Sequence, residues 1–279
     1  MKYLILGSEG QIGSVLQNYL LDRNQEVIPY DIVRGNLYDL RSDFNRTFLM
    51  SHVEESDFVF FLAFDVGGSN YLKKYQNTYE FIDNNVLIMN NVFFALQHYN
   101  KPFIFASSQM SNMVDSPYGV LKALGEHYTR SLKGISTKFW NVYGIEHDPE
   151  KTHVITDLVL KAYKGRIDVQ SSGKEQRQFL HTSDCCEALY KLSQIYHLWQ
   201  KQEPFDITSY KWTSIAEVAE IISNEFGGIP VSFGDQEDLQ TVRNEPKHNM
   251  PDWWYPRVPL EVGIREIIKH YAVHNRQNS

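Results

Sequence analysis

The segment that most constrains the fold is a glycine-rich turn that follows a short apolar run near the start of the chain. Residues 3–6 are apolar, Gly7, Gly10 and Gly13 follow, and residues 12–21 carry the spacing of an amphipathic helix. Small residues are needed because the turn is tight, a phosphate must approach its backbone, and the helix packs closely on the strand. The helix N-terminus offers free N–H groups and a positive dipole end to an anion. The pattern therefore predicts a dinucleotide whose pyrophosphate contacts Gly7, Gly10, Gln11, Ile12 and Gly13.

An acidic residue closes the second predicted strand and bears on the choice of dinucleotide. Asp31 stands 18 residues after Gly13. A carboxylate there accepts hydrogen bonds from both ribose hydroxyls of adenosine and repels a 2′-phosphate, which favours NAD over NADP. Arg34 argues in the opposite direction because an arginine near this position can accommodate that phosphate. A turn of three glycines that binds no ligand is the alternative.

Short apolar runs alternate with longer helical patterns through the first half of the chain. The runs predict strands at residues 3–6, 26–30, 57–63, 103–106 and 137–142. Helical patterns lie among them at residues 12–21, 79–98 and 117–132. This β-α order is typical of an α/β protein with a Rossmann-type, doubly wound parallel sheet.

The regular alternation ends near residue 147 and divides the chain. We expect a dinucleotide-binding domain at residues 1–147, with a return around 178–208. A smaller C-terminal α/β substrate-binding lobe is expected at residues 148–177 and 209–279. Within it, residues 235–257 hold three prolines and little periodicity, so this segment is predicted to be irregular.

The composition excludes several classes of protein. A formal net charge of −7 argues against a nucleic-acid partner. The two cysteines, Cys185 and Cys186, are adjacent, which rarely permits a disulfide, and no second pair completes a zinc site. This cysteine usage predicts a reduced, cytoplasmic protein without a metal. The apolar stretches are too short for a membrane span, so no membrane association is expected.

A tyrosine and a lysine four residues apart mark the candidate catalytic helix. Ser116 and Pro117 suit the cap and first turn of a helix, so Tyr118 and Lys122 would share one face. A nearby ammonium and a positively charged nicotinamide would lower the pKa of Tyr118 and make it an acid or base for a sugar hydroxyl. An ordinary surface pair is the alternative, because the chain holds 17 tyrosines.

In this order the motifs resemble those of the extended short-chain dehydrogenase/reductases, and among them the NAD-dependent epimerase/dehydratase family that acts on nucleotide sugars. Further matching segments are Val66-Gly67-Gly68, Ser107-Ser108 at a strand end, Asn141-Val142-Tyr143-Gly144 and Arg177-Gln178-Phe179-Leu180-His181. The resemblance covers nearly the whole chain, and the ordered set is more specific than any single motif.

The resemblance implies an NAD cofactor and hydride transfer at a sugar carbon, commonly C4. Ser108, or alternatively Ser107, would hydrogen-bond the reacting oxygen, Tyr118 would carry its proton, and Lys122 would tune the tyrosine and hold the ribose. Further cofactor contacts are implied at Asp39, Leu40, Leu62 and Ala63. Substrate contacts are implied at Gly68, Gln109, Asn141, His153, Arg177 and Arg243, of which the two arginines suit a diphosphate.

Two positions after the serines depart from the family pattern. Gln109 and Met110 stand where dehydratases carry an Asp-Glu pair, so sugar dehydration is not expected. The same positions lack the cysteine that the GDP-fucose synthase and GDP-mannose 3,5-epimerase branches need, although His153-Val154-Ile155 resembles those branches. His153 is an acid/base, a hydrogen-bond donor to substrate, or only a residue at a helix start.

We therefore expect an NAD-dependent nucleotide-sugar epimerase that acts by hydride transfer at C4, on a nucleotide-diphosphate sugar. An NAD(P)-dependent 4-keto-sugar reductase or oxidase is the alternative, because it would use the same residues. A non-catalytic dinucleotide-binding sensor is the second alternative, and the retained Tyr118 and Lys122 argue against it. The apolar positions in residues 79–98 and 117–132 favour a homodimer.

Overall fold

The strands and helices follow one another through most of the chain. The computed structural model describes residues 1–199, 203–238, 240 and 244–277. The strands are β1 (Lys2–Leu6), β2 (Glu26–Tyr30), β3 (Phe58–Phe61), β4 (Phe103–Ser108), β5 (Ile135–Phe139), β6 (Asn141–Tyr143), β7 (Ile167–Val169), β8 (Gln176–His181), β9 (Phe205–Ile207), β10 (Trp212–Ser214) and β11 (Val231–Phe233). The α-helices are α1 (Gln11–Leu21), α2 (Arg46–Glu55), α3 (Ser69–Tyr75), α4 (Tyr79–Tyr99), α5 (Pro117–Ser131), α6 (Val154–Ala162), α7 (Thr182–Gln194), α8 (Tyr196–Trp199), α9 (Ile215–Glu225) and α10 (Leu260–Gln277).

A six-stranded sheet forms the centre of the molecule. Its order is β2-β1-β3-β4-β5-β9, and every neighbouring pair is parallel. The inner strands β3 and β4 are buried along their whole length, as their continuous apolar runs predict. The strand order reverses between β1 and β3, and ligands of such sheets bind in the crevice outside the carboxyl ends at that point.

Helices cover both faces of this sheet. On one face Leu49 of α2, Val92 of α4 and Leu121 of α5 belong to one buried core. On the other face Leu16 of α1 and Leu189 of α7 belong to a second. The prediction of a Rossmann-type, doubly wound α/β fold is confirmed.

A smaller layered unit lies beyond the large sheet. β6, β8 and β10 form one sheet, β7 pairs with β11, and Val159 of α6, Val218 of α9 and Ile264 of α10 share a third core. The described part of residues 235–257 holds no helix or strand, in agreement with its predicted irregularity. None of the described helices combines the length and the apolar character that crossing a bilayer would require.

The single strand predicted at residues 137–142 is wrong, because the chain changes sheets there. β5 pairs with β4 and β9, whereas β6 pairs with β8. The break falls at Trp140, whose indole N–H donates to the Asp206 carboxylate (2.9 Å) and whose backbone N–H donates to the carbonyl of Ile207 (3.4 Å). Both partners are distant in sequence, so an apolar pattern carries no sign of the break.

Candidate active site

The glycine-rich turn joins β1 to α1 and requires glycine at two of its positions. Gly7 has a φ of +90°, and its N–H donates to the carbonyl of Tyr30 at 2.8 Å. A Cβ on Gly13 would lie 2.0 Å from the carbonyl oxygen of Gly7, so α1 could not pack as it does. Gly10 caps α1 without a side-chain hydrogen bond, and the buried side-chain nitrogen of Gln11 has no partner among the described residues. These free donors at a helix N-terminus fit a pyrophosphate.

The acidic residue after β2 is oriented by backbone donors. The Asp31 carboxylate accepts the N–H of Glu9 at 3.0 Å and the N–H of Val33 at 3.1 Å. Arg34, which argued for a 2′-phosphate, instead pairs with Glu9, with Nη1 2.7 Å from Oε1. A 2′-phosphate here would therefore meet two carboxylates and an arginine that is already paired, so the arrangement fits NAD.

One cavity of about 980 Å³ brings most of the predicted residues together. Its lining includes Gly7, Gly10, Gln11, Ile12, Gly13, Asp31, Asp39, Leu40, Leu62, Ala63, Ser107, Ser108, Tyr118, Lys122 and His153. The carboxylate of Asp39 is engaged by Arg41, with Nε 2.8 Å from Oδ1 and Nη2 2.9 Å from Oδ2, and this hydrogen bonding lowers the pKa of Asp39. The cavity lies at the switch point of the sheet and reaches from the glycine turn to α5.

Tyr118 and Lys122 are buried side by side on α5 at the wall of this cavity. The Lys122 ammonium donates to the carbonyl of Ala106 at 2.7 Å and lies 3.6 Å from the ring centroid of Phe64. Burial lowers the pKa of Lys122 to about 7. Burial also raises the pKa of Tyr118 to about 12, and a hydrogen bond with the Ser108 hydroxyl opposes this effect only in part.

The direction of the Tyr118 pKa is thus opposite to the one expected from the Tyr-Lys spacing. The expected lowering of the pKa rested on the charges of Lys122 and of an oxidised nicotinamide. The cost of removing the phenolate from water, which raises the pKa, was not included. In the chain alone, desolvation is the largest influence on Tyr118. Phe64, which the sequence analysis did not single out, contributes to this apolar surrounding of Lys122.

The two adjacent serines at the end of β4 have different partners. The Ser107 hydroxyl donates to the Glu126 carboxylate of α5 at 2.5 Å. Ser108 accepts the N–H of Met110 at 3.1 Å and interacts with the Tyr118 hydroxyl. Both serines line the 980 Å³ cavity, and the geometry favours Ser108 as the serine that acts together with Tyr118.

A second cavity of about 170 Å³ adjoins the smaller unit and is lined by Asn141, His153 and Arg177. The side-chain oxygen of Asn141 is buried and has no partner among the described residues. Arg177 pairs with Asp238, with Nη2 2.6 Å from Oδ1. A carboxylate therefore stands where the sequence analysis expected a diphosphate.

Two further predicted substrate residues lie elsewhere, and a third is not among the described residues. Gly68 lines neither cavity; it precedes α3, where an added Cβ would lie 2.1 Å from the carbonyl oxygen of Thr152. Gln109 also lines neither cavity, and its side chain hydrogen-bonds with those of Gln240 and Asn244 at 2.8 and 2.9 Å. Arg243 lies outside the described residues.

His153 has a partner that the sequence analysis missed. Nδ1 of His153 lies 2.5 Å from Oε1 of Glu146, and the backbone N–H of His153 donates to Oε2 at 3.0 Å. Burial lowers the pKa of His153, but the hydrogen bond and charge of Glu146 outweigh it, so the pKa is raised overall. Burial raises the pKa of Glu146, and the hydrogen bond with His153 outweighs it, so that pKa is lowered. The only sequence signal was an acidic residue two positions after Asn141-Val142-Tyr143-Gly144.

Comparison with known proteins shows which family the chain belongs to. A family model described as the NAD dependent epimerase/dehydratase family matches residues 3–207. The chain belongs to this family. Members of the family are enzymes that depend on NAD, so the predicted enzyme class and cofactor are confirmed, and the glycine turn, Gln11 and Asp31 are the residues that fit that cofactor here.

Individual relatives match nearly the whole chain or a part of it. A putative UDP-glucose 4-epimerase of Methanocaldococcus jannaschii is 24% identical, over 98% of this chain and 99% of its own length. A dTDP-glucose 4,6-dehydratase of Escherichia coli is 28% identical, over 61% of this chain and 52% of its own length.

Solved structures share the fold. The epimerase Mth375 of Methanothermobacter thermautotrophicus has a TM-score of 0.84 at 18% identity and covers 99% of this chain and 93% of its own. The UDP-glucose 4-epimerase of Thermus thermophilus, solved in complex with NAD, has a TM-score of 0.75 at 22% identity and covers 98% and 99%.

Proposed function

We propose that this protein is a nucleotide-sugar epimerase that inverts C4 of the sugar by hydride transfer and retains its NAD. The observation that carries the proposal is that one cavity holds Ser108, Tyr118 and Lys122 together with the glycine turn and Asp31. The name of the M. jannaschii relative, which matches nearly end to end, supports the same reaction. NAD, when bound, supplies the acceptor and donor of hydride.

The protein's own groups handle the proton and hold the substrate. Tyr118 would take the proton of the C4 hydroxyl and return it, while Ser108 would hydrogen-bond the same oxygen. Because burial raises the pKa of Tyr118 to about 12, the phenol keeps its proton at neutral pH until positive charge enters the cavity. An oxidised nicotinamide would supply such charge, in addition to that of the neighbouring Lys122 ammonium, and Lys122 would also hold the ribose.

We assign the choice of substrate to the smaller cavity. Asn141, His153 and Arg177 would contact the nucleotide-diphosphate sugar there, and Arg177 would exchange Asp238 for a phosphate. In this division residues 1–147, returning at 178–208, bind the dinucleotide, and residues 148–177 and 209–279 select the sugar nucleotide. Gln109 and Met110 lack acid/base groups, which argues against dehydration.

The experiment combines release of the cofactor with a test of turnover. Purified protein is denatured and the supernatant assayed for NAD(H), and UDP-, GDP-, dTDP- and CDP-sugars are screened for C4 inversion without added cofactor. We expect bound NAD(H) and inversion of at least one sugar. Turnover that requires added NAD(P)H would instead identify a 4-keto-sugar reductase, and NAD binding without turnover would identify a sensor.

A matched pair of serine variants tests the catalytic assignment. Ser108→Ala removes a hydroxyl that interacts with Tyr118, whereas Ser107→Ala removes one that is bound to Glu126. We expect the first variant to lose far more turnover than the second, at equal NAD content. Equal losses would contradict the assignment of Ser108.

We also propose a homodimer formed through α4 and α5. These helices expose apolar side chains, among them Val86 and Phe94 on α4 and Val120, Leu124 and Tyr128 on α5. The two helices are neighbours, and exposed apolar side chains gathered on neighbouring helices favour an interaction site. Light scattering at micromolar concentration should show a dimer, and a monomer would contradict the proposal.

A further inference from the structure

The segment between β6 and α6 holds a buried carboxylate that the proposed reaction does not use. The side chain of Glu146 is only 7% exposed. Its backbone carbonyl accepts the Tyr271 hydroxyl of α10 at 2.5 Å, which ties this point of the segment to the smaller unit. Burying a carboxylate destabilises the folded state unless the group is fully hydrogen-bonded, so the hydrogen-bond partners of Glu146 indicate its role.

Most of those contacts come from one residue at the start of α6. The carboxylate accepts the backbone N–H of His153 at 3.0 and 3.2 Å, and Nδ1 of His153 lies 2.5 Å from Oε1. The side chain of Thr156, in the first turn of α6, adds a further hydrogen bond. His153 is the N-cap of α6 and makes no cap with its own side chain, and Glu146 accepts the backbone N–H of this N-cap residue. The backbone contacts serve the helix, whereas the contact to Nδ1 orients the imidazole.

That contact determines which nitrogen faces the cavities. An ionised carboxylate only accepts hydrogen bonds, so Nδ1 of His153 must carry a proton. In metal sites and catalytic triads a carboxylate bound in this way sets the tautomer and orientation of a histidine. Nε2 of His153 has no partner within the described part of the chain, and the side chain is 42% exposed.

The imidazole lies where the two cavities meet. His153 and Val142 are the lining residues common to both cavities, and His153 is the polar one of the two. Tyr118 lines only the larger cavity and Arg177 only the smaller. A nucleotide sugar with its sugar at Tyr118 and its diphosphate at Arg177 must pass His153.

We propose that Glu146 is a positioning residue that holds His153 by Nδ1, so that Nε2 donates a hydrogen bond to the sugar of the bound nucleotide sugar. The inference rests on the proposed function for its substrate class. It assigns to Glu146, which also lines the larger cavity, a part in substrate binding that is exerted through His153. The sugar is the assigned acceptor because the diphosphate belongs to the Arg177 end of the smaller cavity.

A double-mutant cycle separates this role from capping of α6. NAD-loaded wild type, Glu146→Gln, His153→Ala and the double variant are titrated with UDP-glucose and with UDP by calorimetry. A glutamine keeps an oxygen for the backbone N–H of His153 and loses the charge that orients the imidazole. We expect each single variant to weaken UDP-glucose binding about tenfold or more, and the double variant to bind like His153→Ala alone.

Two further arms keep the test decisive. The affinity for UDP should stay within about twofold of the wild type in all variants. The control Glu150→Gln should bind UDP-glucose as the wild type does, because Glu150 is an exposed residue of the same segment that binds Lys74 and Tyr75. Nitrogen-15 NMR of His153 in the wild type should show a protonated Nδ1, whatever the folding of the variants. An unprotonated Nδ1, additive losses in the cycle, or equal losses for UDP would overturn the inference.

Failure of the Glu146 inference and failure of the proposed epimerase function would give different results. UDP-glucose that binds and shows the coupling without C4 inversion would refute the epimerase proposal and leave the Glu146 inference standing. C4 inversion with no coupling would do the reverse. Failure of the wild type to bind UDP-glucose would overturn the inference as stated, whereas the epimerase proposal is judged by the screen of four nucleotides.

Discussion

Replacing Lys122 with methionine should make the protein more stable at neutral pH while removing its activity. The ammonium is buried, donates to the carbonyl of Ala106 at 2.7 Å and lies over the face of Phe64. The charge of Glu126 offsets its burial only in part. Methionine has a similar unbranched stem and no charge to desolvate. A catalytic charge kept in an apolar site at the expense of stability is a common trade-off in enzymes.

The magnitude follows from the pKa. Burial lowers the pKa of Lys122 from its ordinary value of 10.5 to about 7, which at about 1.4 kcal/mol per pH unit corresponds to a penalty of about 5 kcal/mol for the charged form. Methionine removes this penalty but leaves the Ala106 carbonyl without its donor, at a cost of about 1–3 kcal/mol. The net gain in the free energy of unfolding at or below pH 7 is therefore about 2–4 kcal/mol.

The sign of the pH dependence is distinctive. Below pH 7 both folded and unfolded states hold the proton, so the penalty is complete. Between about pH 7 and 10.5 the unfolded state binds more protons, so the stability of the wild type rises with pH and the penalty is lost. The advantage of Lys122→Met should thus shrink by about 2 kcal/mol from pH 7 to pH 9.

Urea unfolding of the dinucleotide-free proteins, followed by tryptophan fluorescence at pH 6.5, 7, 8 and 9, measures this difference. Lys164→Met is the matched control, because Lys164 is exposed and should give no pH-dependent difference from the wild type. A difference between Lys122→Met and wild type that stays constant over this pH range would refute the reasoning. It would show that the Lys122 ammonium keeps its ordinary pKa in the folded chain.

Three other predictions test different parts of the site. Tyr118→Phe should retain bound NAD(H) and lose about 10²–10⁴-fold in turnover, because it removes the proton carrier; unchanged turnover would refute its role. Gly13→Ala should lower both NAD content and melting temperature, because its Cβ would lie 2.0 Å from the carbonyl oxygen of Gly7; a variant with wild-type values of both would contradict the close packing. Asp238→Asn should tighten UDP binding in calorimetry, because Arg177 would lose the partner that a diphosphate must displace; unchanged or weaker binding would show that the pair does not compete with the ligand.

The sequence by itself determined the scaffold and the cofactor end of the site. Strand, turn and helix follow from local apolar patterns, and the spacing of Gly7, Gly10 and Gly13 is a requirement of local backbone geometry. The positions of Asp31 and of the Tyr118–Lys122 pair can likewise be predicted from the sequence, because residues close in sequence determine where a strand ends and which residues share a helix face. All of these residues line the same cavity.

The tertiary structure decided what depends on distant neighbours. The choice between Ser107 and Ser108 rests on Glu126 and Tyr118, and both belong to the next helix. The engagement of Arg177 by Asp238 joins residues 61 positions apart, which no local pattern reveals.

The pKa directions were also decided by the tertiary structure. Desolvation sums over every segment that packs around a group, so burial reversed the expected direction for Tyr118 and lowered the pKa of Lys122. The site of Glu146 and His153 follows the same principle, because a turn of the chain brings the carboxylate back onto the start of α6. Sequence spacing determines where side chains lie along a helix or strand, whereas the tertiary structure determines their charge states and their partners.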